Sequence, residues 1–223
     1  MKGFSHRPAG ASLRKARPLA FTLIEMMVVI AIIAIIAAFV TPVAGSLLKA
    51  SQLTQAGQLV VGQLSLARQT ALSRNLPIEV RLYRFGDPEI PGENKGKYRA
   101  FQSFEVQPNG AVLPLGQLSR LPQTVIIDSS GALSSILNQT QRPASTPSAS
   151  APKVPGVEYA YEYVAFRFRP DGSTDLREPA EPAKQWFLTL HGINDGDARP
   201  TPPPNFETIQ INPFNGNIRT FRP

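Results

Sequence analysis

Glu25 is the only acidic residue between Arg17 and Pro42, and it stands at the mouth of an uncharged run from Met26 to Leu48. A helix of that length, rising about 1.5 Å per residue, crosses the ~30 Å hydrocarbon core of a bilayer. An ionised carboxylate near its start is costly unless a cation meets it there. Cutting the chain after Ala20 makes such a cation, because the new α-amino group on Phe21 lies about one helical turn from Glu25. The pair then compensates charge within the chain or with a packed neighbour. The rival reading is an ordinary signal anchor with a stray Glu.

The other residues capable of chemistry do not form a catalytic set. The two histidines are His6 and His191, too few and too far apart for a histidine-based triad or a metal cluster with ligand spacing. His191, near a predicted strand end, reads as a surface or turn residue. Glu158 and Glu162 lie four apart in a strand-like segment, hence on one face, as a carboxylate pair for acid–base chemistry would; a solvated sheet face explains them better. Asn194, Asp195 and Asp197 around Gly196 alternate oxygen ligands as a calcium loop does, but the remaining ligands and the distal Glu are missing. Cysteine is absent, so there is no disulfide, thiol or thiolate–metal chemistry. No catalytic residue, metal or cofactor is expected.

Charge settles the orientation. Lys2, Arg7, Arg14, Lys15 and Arg17 precede Phe21 with no acidic residue among them, so the positive-inside rule keeps the N-terminus cytoplasmic and exports the remainder. A cleaved secretory signal would have a shorter apolar core ending in a small-residue site, whereas this run passes into sequence that still reads as helix. The formal charge is +7, from 23 basic and 16 acidic residues. With the basic leader removed the chain is close to neutral, which argues against a strong nucleic-acid binder.

Phe21-Thr22-Leu23-Ile24-Glu25, behind a short basic leader and ahead of an apolar helix with Pro42 near its end, resembles the class III signal sequence of type IV pilins and type II secretion pseudopilins. The resemblance implies that a prepilin peptidase cuts between Ala20 and Phe21 and methylates the new Phe21 amine. It also implies that Glu25 guides assembly into a helical filament. Ala20 stands where the family usually has Gly and is small enough to replace it. Pro42 removes a backbone hydrogen bond and is expected to bend or loosen the helix.

These residues need elements to position them. Residues 49–76 continue as an amphipathic helix, with Leu53, Ala56, Val60, Leu64, Ala67 and Ala71 recurring every three or four positions. Pro77 ends it. Beyond Pro77 the period becomes two, and strands are expected over 78–83, 98–106, 124–127, 159–169, 185–190 and 208–211, with Asn215-Gly216 turning a hairpin onto 217–221. The fold class is therefore α+β: a long N-terminal transmembrane helix packed on a mainly antiparallel sheet, as in pilins. The organisation reads as a leader at 1–20, a membrane helix at 21–48, its extension at 49–76 and a periplasmic head at 77–223. Residues 139–156, rich in Pro, Ser and Ala, read as a mobile loop, and residues 196–205 as a stiffer one.

The order of Leu66-Ala67-Arg68-Gln69-Thr70-Ala71-Leu72-Ser73-Arg74, Phe168-Arg169-Pro170-Asp171-Gly172 and Asn215-Gly216-Asn217-Ile218-Arg219 resembles minor pseudopilins of the GspH and FimT type. It looks closer still to the pilin-like Verru_Chthon cassette protein D group. The resemblance implies a single-pass inner-membrane subunit of a type II secretion or type IV pilus-like filament, extracted into that filament on assembly. Its partners would be prepilin peptidase, other pilin or pseudopilin subunits, the inner-membrane assembly platform and membrane lipid. The alternative is a FimT-like subunit that takes up DNA, with Arg199, Arg219 and Arg222 as the phosphate contacts. A membrane-anchored enzyme is the third class and lacks any catalytic constellation.

Overall fold

Helix α1, Leu23–Arg74, stops where Asn75 turns the backbone left-handed, with φ 54°, and where Pro77 forbids another helical turn. The structure, a computed structural model, describes residues 21–86, 96–138, 142–146, 161–177 and 185–223, with backbone alone for 38–46 and 177. The chain divides into two compact units, Met1–Ala44 and Gly45–Pro223. Strands follow the helix in chain order: β1 (Ile78–Phe85), β2 (Lys97–Val106), β3 (Val112–Arg120), β4 (Val125–Ile127), β5 (Tyr161–Phe168), β6 (Trp186–Gly192), β7 (Phe206–Ile211) and β8 (Ile218–Phe221).

In the second unit the predicted helical stripe is the buried one. Leu53, Ala56, Val60, Leu64, Ala67 and Ala71 join a single core cluster with Ile78, Val80 and Leu82 of β1, Val164, Phe166 and Phe168 of β5, and Leu188, Leu190, Ile209 and Ile211 of β6 and β7. Removing a fully buried aliphatic side chain from water contributes about 1.5–3 kcal/mol, so this shared face holds the helix on the sheet.

All strand pairs are antiparallel, in the order β5-β1-β2-β4-β6-β7-β8, with β3 branching from β2. The branch is possible because β2 divides one edge between two partners. Tyr98 meets Ile127 of β4, and the stretch from Ala100 to Val106 meets β3. Strand β3 is an addition to the strands that the sequence pattern predicts. Its segment contains Pro114 and Gly116, residues depleted in strands and tolerated here because β3 is an edge with little burial.

Strand alternation puts Glu79, Arg81 and Tyr83 on the face of β1 opposite Ile78, Val80 and Leu82. Glu79 accepts from Arg81 Nε at 2.6 Å and from Arg167 Nε at 2.8 Å, which satisfies a carboxylate only 5% exposed. The Arg81 guanidinium lies 4.3 Å from the Phe104 ring centroid and 4.7 Å from that of Tyr163.

Part of the stretch expected to be a mobile loop is tied down. Ser145 and Tyr163 exchange both backbone hydrogen bonds, at 2.8 and 3.0 Å. Arg142 donates from Nε to the Ala165 carbonyl at 3.2 Å and from Nη2 to Asp175 at 3.1 Å. Composition does not reveal this, because the anchoring comes mainly from main-chain groups and one Arg, with only the small Ala144 side chain packed against the core. The rest of 139–156 lies outside the described residues.

Candidate assembly site at the N-terminus

Helix α1 starts with a reciprocal cap. The Thr22 backbone N–H and its hydroxyl both donate to Glu25 Oε2 at 2.9 Å, and the Glu25 backbone N–H donates to Thr22 Oγ1 at 3.2 Å. This is a capping box, in which the N-cap hydroxyl and the carboxylate three residues on satisfy otherwise orphaned N–H groups. Its signal, Thr followed three residues later by Glu, is present in the sequence, although the charge argument makes no use of it. Oε1 makes none of these bonds. Phe21, where cleavage would create a new chain end, directly precedes the capping Thr22. Ala20, on the other side of that cut, lies outside the described residues.

From Phe21 to Ile36 the large apolar side chains are 46–78% exposed. A helix apolar all round needs a covering phase or a ring of neighbours. Among the described residues no helix is long and apolar enough to cross a membrane; the described side chains of this run stop at Ala37. Pro42 falls within α1, and its expected bend concerns residues with backbone alone described.

The remaining candidates are dispersed. His191, expected at the surface, is instead wholly buried, with Nε2 2.9 Å from Asp128 Oδ2 and Nδ1 2.9 Å from the Gly192 carbonyl. Its place near a strand end suggests exposure, but the segment after β4 folds over that end. Asp197 spends Oδ1 on the backbone N–H groups of Ser129 and Ala198, at 2.8 and 2.7 Å. Among the described residues it forms no metal-type cluster with Asp195. Glu162 is exposed, and Glu158 lies outside the described residues.

The three arginines weighed as phosphate contacts are not alike. Arg199 donates from its guanidinium to the Asp195 and Thr201 carbonyls. Arg222 donates to Thr54 Oγ1 at 2.6 Å and to Asn205 Oδ1 at 3.3 Å, pinning the chain end to α1. Arg219 alone of the three makes no such bond among the described residues.

Three motifs far apart in sequence meet. Arg68 of α1 donates from Nε to the Asn215 carbonyl at 2.9 Å, and the Thr174 N–H donates to the Pro213 carbonyl at 2.9 Å. Gly216, with φ 64°, sits so close to the Gly172 carbonyl and Arg68 that a side chain there would collide with both.

Residues 17–41 match the family model described as the prokaryotic N-terminal methylation motif. The chain thus joins that motif, at the head of a long helix, to an antiparallel sheet. Among solved structures it is similar to the minor pseudopilin EpsH from the Type 2 Secretion System of Vibrio cholerae, at 11% identity and a TM-score of 0.42, over 77% of this chain and 98% of that one. No curated protein matches the sequence, and the likeness to the cassette protein D group has no counterpart among these matches.

Proposed function

We propose that this chain is a minor pseudopilin, a structural subunit cut by prepilin peptidase between Ala20 and Phe21, methylated at Phe21 and held in the inner membrane by its N-terminal helix until a filament takes it up. The observation that carries the reading is the placement of Glu25. Its carboxylate closes the first turn of α1 beside the position of the new amine, at the head of a helix whose exposed surface is apolar. Within a filament the free Oε1 meets the Phe21 ammonium of this chain or of a neighbour, because only a carboxylate supplies a charged acceptor there. Neighbouring subunits and lipid cover the apolar helix, and the assembly platform drives its extraction. The reading in which Arg199, Arg219 and Arg222 grip DNA is weaker, since a phosphate would have to displace protein acceptors from two of the three.

The test has two arms. Mass spectrometry of the membrane-extracted protein should find an N-terminus at Phe21 with one added methyl group; a terminus near Thr41 or Ala44 would mean a conventional signal peptide. Glu25→Leu should leave insertion and cleavage intact, yet lose crosslinks to companion pilins that Glu25→Asp partly keeps. Unchanged crosslinking for Glu25→Leu would remove the assembly role.

A further inference from the structure

Strand β8 ends the sheet opposite β5, and its outer edge pairs with no strand among the described residues. The other edges carry blunting devices. Ser145 pairs with β5, and β3 has Pro114 in its run. An uncovered edge is a template for an added strand.

At the β7–β8 hairpin is a concavity of about 210 Å³ whose lining includes Gln185, Gln210, Asn217, Arg219, Pro213 and Phe214. Gln210 and Arg219 are cross-strand partners, and Phe214 is 65% exposed. The amide groups of Gln185, Gln210 and Asn217 and the guanidinium of Arg219 have no hydrogen-bond partner among the described residues. Among the described residues, none that lines the space is acidic.

These features select one occupant. Side-chain amides both donate and accept, so they match peptide groups, which do the same; phosphodiesters only accept and would leave the amide oxygens unmatched. The Arg219 guanidinium, which meets no counter-charge among the described residues, matches a carboxylate, which it binds in a fork. An exposed Phe beside a Pro offers an apolar anchor for an alternate side chain.

We infer that the edge of β8 and its concavity receive an extended segment of a partner protein bearing a carboxylate opposite Arg219. The site is remote in sequence from the N-terminal motif and does not depend on processing at Phe21. Four residues long, β8 admits a correspondingly short segment.

The probe is a fluorescein-labelled eight-residue peptide of alternating threonine and valine with one central glutamate, titrated by fluorescence anisotropy against the full chain in detergent. Arg219→Gln should weaken binding about ten-fold, and exchanging the peptide's glutamate for glutamine should do the same. The two changes together should add little, because they remove one interaction. Phe214→Ala should weaken both peptides alike, and N-methylation at alternate peptide positions should abolish binding if the strand is added at an edge. Near-ultraviolet circular dichroism identical to that of the unmodified chain would confirm that the variants are folded. Absence of peptide binding, equal affinity for folded Arg219→Gln, or indifference to N-methylation would each overturn the inference. So would displacement of the peptide by oligothymidylate that itself depends on Arg219, which would make this a nucleic-acid site.

Discussion

His191 Nε2 lies 2.9 Å from Asp128 Oδ2, with neither side chain exposed to solvent. The other ring nitrogen faces the Gly192 carbonyl, which can only accept, so that nitrogen carries a proton. Asp128 also accepts from the backbone N–H groups of Ser130 at 2.7 Å and Arg199 at 3.2 Å. One carboxylate thus joins the segment after β4 to β6 and to the β6–β7 loop.

Removing one member of that pair should be severe. His191→Ala should lower the unfolding free energy by about 3–5 kcal/mol, the usual loss when a buried charge loses its partner. Asp128→Ala should cost at least as much, because it also strands the N–H groups of Ser130 and Arg199. Urea denaturation of the full chain in detergent, followed by tryptophan fluorescence, checks the order; a surface role for His191 would leave its midpoint unmoved.

The meeting of Arg68 with the two late turns predicts a second pair of variants. Gly216→Ala should destabilise by more than the ~1 kcal/mol of ordinary glycine replacements, because it combines positive φ with a collision against the Gly172 carbonyl and Arg68. Arg68→Ala should cost about 1.5–3 kcal/mol by losing its bond to the Asn215 carbonyl. Thermal unfolding of both single variants and the double variant should show less than additive loss, since the groups touch.

Glu207 supplies a pH prediction. It is 8% exposed, lies against Gly57 of α1 and has its carboxyl pushed above the usual value of 4.5 by burial, with Arg222 opposing. A carboxyl that holds its proton more tightly when folded loses stability as pH rises from about 4.5 through its raised value. Glu207→Gln keeps the shape without the charge. Its melting temperature should match that of the unmodified chain below pH 4.5 and exceed it by a few degrees at pH 8. Equal melting temperatures across the range would show that the carboxylate is comfortably solvated.

Periodicity makes much of the head legible in the sequence. The stripe from Leu53 to Ala71 is buried because a 3.6-residue repeat can present only one face to the sheet. Seven of the eight strands among the described residues can be read from the chain because each alternates or is bounded by turn residues. Strand β3 escapes because an edge with one partner tolerates Pro114 and Gly116, which erase the local signal. The Thr22–Glu25 cap is legible in its spacing, although charge is the more conspicuous property of Glu25.

What the sequence determined by itself is local: the basic leader, the carboxylate at the head of an apolar helix, the helical stripe and the strand periods, each set by neighbours a few residues apart. Only the tertiary structure decided which distant groups satisfy one another. His191 and Asp128, Arg68 and Asn215, and Arg222 and Thr54 are separated by 63, 147 and 168 residues. Their pairing depends on strand order and on the register of α1 against the sheet. No period along the chain encodes that, because a hydrogen bond requires two groups within about 3 Å whatever their separation in sequence.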